Sequence, residues 1–214
     1  GDPIVNPSQD IVLGCYWMTK VKEGANGEEK IFSSPNEAIM AYEFGQVDFR
    51  AKIKVLATDT EKYADFDKKI FETTVGRLLF NSVLPSDFPF INEELNKGRL
   101  AKIVFQLIEK YGVEITPDIL DKIKKFGFEY STKSGISLGA ADILIPKKKP
   151  EMIKEAEKKA QEVRAQYEEG LLTDGERYNK VIEIWQNTEN EIKNLVPETL
   201  EKEGSVSMMV TSKA

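Results

Sequence analysis

The residues able to do chemistry are few and scattered. Histidine is absent, which removes Ser-His-Asp and Cys-His nucleophile systems and every imidazole metal ligand. The one cysteine, Cys15, lies in an apolar run and reads as buried filler. It rules out an intrachain disulfide and fits a reducing compartment. Without histidine or further cysteines, structural zinc is excluded. Catalysis would have to rest on carboxylates, Lys, Tyr or Ser/Thr. Asp2 with Asp10, and Asp65 with Asp67, lack the clustered spacing of a magnesium or calcium site, so no metal site is expected. STKSGISLG (131–139) holds the Lys133 and Ser134 of a phosphate loop. It lacks the G-x-x-x-x-G-K-[ST] order, and no helix clearly follows it, so turn chemistry is the better reading. Lys147, Lys148 and Lys149 form a basic cluster without aromatic interleaving, which favours a solvated helix entrance over a nucleic-acid contact.

A second kind of chemistry is recognition. EEGLLTDGERYNKVIEIW (168–185) places Leu171 and Leu172 in a tight turn between charged, helix-forming stretches. One leucine can staple the helix ends together. Little core exists at such a tip for a second, so at least one is expected to be exposed as a knob for a partner protein. Each leucine fully buried by a partner would contribute roughly 1.5–3 kcal/mol.

The elements that must position these residues follow from punctuation and period. Ser8 is expected to cap a helix over 7–19, with Asp10 in its first turn. Residues 21–30 read as a loop. Ser34 as N-cap, Pro35 at N1, Glu37 closing a capping box and Gly45 at C′ bound a helix over 33–45. Residues 50–57 alternate as a half-exposed strand, with Ile53 and Val55 on one face and Lys52 and Lys54 on the other. Residues 73–85 begin strand-like and turn helical. Amphipathic helices are expected over 99–111, closed by Gly112, and from Thr116 and Pro117 to Gly127. Residues 127–146 read as a loop followed by a short strand. The expected fold class is α+β, mostly helical: a body of short strands and small helices over 1–146, then a segment over 147–214 with a projecting antiparallel two-helix coiled coil. Its arms run over about 151–169 and 176–202. Residues 153, 156, 160, 163 and 167 form one heptad seam, and 178, 181, 185, 188, 192 and 195 the other. Gly170 ends the first arm, and a Thr173–Glu176 capping box opens the second.

Size and charge bound the rest. The 214 residues are 41% hydrophobic and 31% charged, with net charge −6. That permits a core under a heavily charged surface and argues against nucleic-acid binding over the whole molecule. No apolar run reaches the roughly 18 residues of a membrane span. The N-terminus lacks the basic and apolar regions of a signal peptide, so a cytoplasmic protein without membrane contact is expected.

PIVNPSQDIVLGCYWMT, FSSPNEAIMAYEFGQVDFRAKIKV, TTVGRLLFNSVLP, GFEYSTKSGISLGAADILIP, GLLTDGERYNKVIEIW and SVSMMVTSKA together resemble, in order, the pore and funnel region of the largest subunit (β′) of bacterial DNA-directed RNA polymerase. The resemblance covers essentially the whole chain. It implies a wall and rim of the secondary channel, through which nucleoside triphosphates reach the active centre. The hairpin would then be a docking arm for transcript-cleavage factors of the Gre type or DksA-like regulators. Gln9 and Asp10 match a motif near the active centre. Leu171, Leu172, Thr173, Asp174, Glu176 and Arg177 match the factor-docking tip. Implied partners are the other polymerase subunits and the rest of β′, passing nucleotides, and DNA and RNA in the complete enzyme. The family's catalytic aspartate motif, NADFDGD, has no counterpart here. The resemblance therefore implies a nucleotidyltransferase whose magnesium is bound outside this segment, and a chain inactive alone, with no cofactor of its own. Lys213 stands where the family commonly has Gly, and Ala140 and Ala141 replace a more usual Ile-Asp before Asp142. The rival reading is a free-standing coiled-coil adaptor without enzymatic activity. The rivals differ in one observable: a polymerase segment should leave large apolar patches on residues 1–146.

Overall fold

The computed structural model describes residues 6–201 and 203–214. The start of the first quoted motif, Asp2 and the far end of the second hairpin arm at 202 lie outside the described residues. The fold is mostly helical with one small three-stranded sheet. It divides into two compact units, residues 1–137 with 208–214, and residues 138–207.

In the first unit, helix α1 (Asp10–Thr19) carries a nearly all-apolar sequence and is buried on most sides. It does not begin at Ser8. Gln9 takes the N-cap position at φ 50°, ψ −128°, and its side chain makes no capping bond. Strand β1 (Ile31–Phe32) precedes helix α2 (Pro35–Glu43), where the punctuation works locally. Ser34 Oγ accepts from Glu37 N–H at 3.2 Å. Glu37 Oε2, expected to return to the cap, instead accepts from the Ser33 backbone N–H and hydroxyl, both at 2.6 Å. Gly45 at φ 70° ends the helix. Its N–H donates to Tyr42 O, and that of Gln46 to Ala41 O, a closure by paired reverse bonds that only a left-handed residue allows.

Strand β2 (Ile53–Leu56) is central, parallel to β1 and antiparallel to β3 (Ile70–Thr73). Ile53 and Val55 are fully buried, while Lys52 and Lys54 lie on the other face, paired with Glu72 at 2.7 Å and Glu29 at 2.5 Å. The inner face packs on Ala38 and Ala41 of α2 and on Val75 and Leu78 of helix α3 (Val75–Val83). The free edge of β3 is engaged at one carbonyl. Asn92 Nδ2 donates to Glu72 O at 2.7 Å, and Arg77 Nη1 holds Asn92 Oδ1 at 3.2 Å. Such a contact blunts an edge that could otherwise pair with another chain.

Helix α4 (Lys97–Ser134) is two helices joined at Gly112, whose φ 72° and ψ 176° break the helical path. The expected stop at Gly112 is therefore present, but the stop at Gly127 is not. The chain stays helical to Ser134 and closes on Gly135 at φ 62°. Gly127 serves packing instead. A Cβ there would meet Ile11 O at 2.6 Å, and one on Gly14 would meet Gly127 O at 1.9 Å. The two glycines let α1 and α4 cross with their backbones in contact. Around that crossing Val12, Cys15, Met18, Phe80, Ile103, Leu107 and Ile123 form the main core. Burial pushes the Cys15 thiol up to about 12, which leaves it inert. Within the same unit, Met208 of helix α7 (Ser205–Ser212) packs on Leu13 and Tyr16.

In the second unit, a single 3₁₀ turn (Ala140–Asp142) replaces part of the expected loop, and residues 143–146 form no strand. A strand needs a neighbour, and no described strand pairs with this segment. Helices α5 (Lys149–Glu168) and α6 (Asp174–Thr199) pack against each other across a short turn. The α5 seam holds, with Ala156 and Val163 buried, although Tyr167 is exposed. The α6 seam holds in part: Val181, Thr188, Ile192 and Leu195 are half-buried. Trp185 and Tyr178 are exposed, and Ile184 with Thr188 faces Ala156 and Met152 around a cavity of about 110 Å³. Trp185 is too bulky for so thin an interface, and Ile184, one residue earlier, fits it.

Candidate functional site

The turn between α5 and α6 is built from its backbone upward. Gly170 at φ 76° leaves the helix. Its N–H donates to Tyr167 O at 3.0 Å, and Leu171 N–H donates to Gln166 O at 2.9 Å. These bonds close the end of α5 as they close α2. On the other side Thr173 Oγ1 accepts from Glu176 N–H at 3.3 Å, and Glu176 Oε2 accepts from Thr173 N–H at 2.8 Å. The Thr173 hydroxyl also donates to that carboxylate at 2.7 Å. These bonds, side chain first, hold the Glu176 carboxyl below the usual glutamate range. Both helix ends are thus satisfied without help from the leucine side chains.

Leu171 is 68% exposed, while Leu172 is half-buried. Asp174 takes a forked contact from Arg177, at 3.1 Å from Nε and 2.7 Å from Nη2. The Arg177 guanidinium also lies 5.3 Å from the centre of the Tyr167 ring, a cation–π contact that ties α6 back to α5. Sequence reasoning missed that contact, because it placed Tyr167 in the α5 seam and gave Arg177 no partner on the other helix. The tip therefore presents one apolar knob ringed by Glu168, Glu169, Asp174, Glu176 and Arg177.

Gln9 and Asp10 are adjacent and exposed at the start of α1. They belong to the first unit and the tip to the second. Gln9 holds a backbone conformation that non-glycine residues rarely adopt, a feature that nothing in its sequence signals. Lys133 and Ser134 lie in the last turn of α4, not in a loop. Lys133 pairs with Glu129 at 2.6 Å, and Ser134 donates to Ser131 O at 2.7 Å. Among the described residues, no group of three or more His, Cys, Asp or Glu side chains is placed to hold a metal ion. No helix among them is long and apolar enough to cross a membrane.

Large apolar side chains stand open on the first unit. Phe44 and Val113 are each 74% exposed, and Ile31, Met40, Ile70 and Ile115 more than half.

Comparison with known proteins places this architecture in a class. Residues 1–143 match the family described as RNA polymerase Rpb1, domain 3. The chain belongs to the RNA polymerase largest-subunit family, the family of Rpb1 and β′. It is 45% identical over 202 residues to the DNA-directed RNA polymerase subunit beta' of a Sulfurihydrogenibium species, covering 94% of this chain and 12% of that protein. The beta' subunits of Bdellovibrio bacteriovorus and Pelotomaculum thermopropionicum are 43% and 42% identical, over 95% and 100% of this chain and 14% and 18% of theirs. The chain thus spans less than a fifth of the length of these relatives.

Proposed function

We propose that this chain is the part of a polymerase β′ subunit that forms the wall and rim of the secondary channel. On this reading residues 1–146 are the pore-like body beside the catalytic centre, with Gln9 and Asp10 facing the channel. Residues 147–214 are the funnel-like segment, and α5 with α6 forms an antiparallel coiled-coil docking arm for transcript-cleavage or regulatory factors. The function is positional: a charged lining steers triphosphates and pyrophosphate, and the arm seats a factor. DNA, RNA and the catalytic magnesium would engage the complete cytoplasmic enzyme, outside these residues. The exposed large apolar side chains on the first unit, Phe44 and Val113 foremost, support a segment that packs into a larger assembly over a free-standing adaptor.

The observation that carries the docking reading is Leu171, exposed at a turn whose helix ends are already closed. A small apolar centre ringed by charge is the composition of a recognition hot spot. Leu171→Asp in the complete polymerase should weaken binding of a Gre-type factor about 10-fold or more, the equivalent of burying one leucine. Helical content should not change. Unaltered affinity in a titration, with the hairpin intact, sinks the docking assignment.

A further inference from the structure

Helix α6 carries more apolar surface than its seam with α5 uses. Between Tyr178 and Trp185, Val181, Ile182 and Ile184 are apolar as well as the two ends. The seam of a two-helix coiled coil needs about two residues in seven, and an arc this wide belongs to a helix with two neighbours. The surplus is ordered. Val181, Ile184 and Thr188, at i, i+3 and i+7, are half-buried, and Ile184 and Thr188 meet Met152 and Ala156 of α5. Tyr178, Ile182 and Trp185, at i, i+4 and i+7, form a second stripe about 100° further round the helix. Tyr178 is 60% and Trp185 39% exposed, with Ile182 half-buried between them. Electrostatics select among neighbours for that stripe. Residues 162–191, the outer part of the hairpin on either side of the tip, hold eight carboxylates against three cations. Arg164 and Arg177 are already paired with Glu168 and Asp174, at 3.1 and 2.7 Å. Asp174 stands four residues before Tyr178, and the exposed Glu189 four after Trp185, so a carboxylate lies on the line of the stripe at each end.

We infer that this stripe seats a basic amphipathic helix of the docking factor, packed along α6 as the third helix of a bundle. The partner places apolar side chains over Tyr178, Ile182 and Trp185, and Lys or Arg side chains toward Asp174 and Glu189. Seven residues of helix rise about 10 Å, so two turns of partner helix span the stripe. Tyrosine and tryptophan are the side chains that anchor such interfaces. The excess of carboxylates disfavours a nucleic acid and speeds the approach of a basic helix. The inference rests on the reading of the hairpin as a factor-docking arm, and extends the contact from the tip to the flank of α6.

The test titrates a Gre-type factor against the complete polymerase and its variants. Tyr178→Ala combined with Trp185→Ala should weaken binding about 30-fold or more. Glu189→Lys, a change at an exposed position, should weaken it about 5-fold at low salt and much less at high salt. A photo-reactive residue in place of Trp185 should crosslink to a factor helix that carries Lys or Arg beside its apolar positions. Leu171→Asp reports on docking itself. If it weakens binding while the aromatic pair and Glu189→Lys do not, the flank assignment falls and docking at the tip stands. If Leu171→Asp is without effect as well, both fall. Weakening by the aromatic pair with no salt-dependent change in Glu189→Lys overturns the basic character of the partner. A crosslink to another part of the polymerase overturns its identity. Should the double variant lose helical content, Glu189→Lys and the crosslink decide alone.

Discussion

Lys213 is in the left-handed region, at φ 58°, which favours glycine. A side chain at that conformation bears strain. A non-glycine residue there costs roughly 1 kcal/mol. Lys213→Gly should therefore slow amide exchange at the end of α7 several-fold, and no change would mean the strain is absorbed elsewhere. Glu176 makes a pH prediction. Its folded carboxyl titrates below the ordinary glutamate value because Thr173 donates to it from hydroxyl and backbone. Such a group stabilises the fold above its unfolded pKa, and that contribution is lost as pH falls through the depressed folded value. The first-turn amides of α6 should keep their protection at neutral pH and lose it below the glutamate range. Glu176→Gln should flatten that profile, and a variant with the same acid dependence as the native chain would refute the assignment.

Elements differ in how far their own residues specify them. Ser34, Pro35 and Gly45 bound α2 because caps act within a few residues, and the same holds for Gly170, Thr173 and Glu176 around the tip. Gly127 was misleading for the opposite reason: a glycine that ends a helix and one that admits a crossing helix look alike until Gly14 is beside it. Adding a methyl at that crossing should be costly. Gly127→Ala must displace backbone on α1 and is expected to destabilise by about 1–3 kcal/mol. Gly175, in the first turn of α6, has open space around its Cβ position, and Gly175→Ala should stabilise by up to about 1 kcal/mol. Comparing the two variants by thermal unfolding of the complete subunit separates contact from propensity. Similar shifts would contradict the crossing. Ile184 and Trp185 show another limit of periodicity, since adjacent apolar residues satisfy the same heptad and only the thinness of the interface chooses between them.

At the scale of the whole molecule, the sequence conveys family membership more readily than it conveys surfaces. The main core is built from α1, α3 and α4, whose apolar runs are plain in the sequence. Phe44 and Val113 each lie in a mixed apolar and polar stretch, and nothing local separates them from core residues. Phe44→Asp and Val113→Asp should change the stability of the fold by no more than about 0.5 kcal/mol, as surface substitutions do. On the assembly reading they should nevertheless lower recovery of the subunit in the complete enzyme. Recovery equal to the native chain would mean that these side chains face water in the working molecule.

The two closures flanking Leu171 have a kinetic consequence. Because Gly170 and the Thr173–Glu176 pair already fix the turn, on the docking reading a visitor would meet a surface that needs no ordering on arrival. Association should then proceed at the rate of rigid-body docking, with little loss of conformational entropy. Differences among visitors, and among variants at the tip, should appear in how long each one stays.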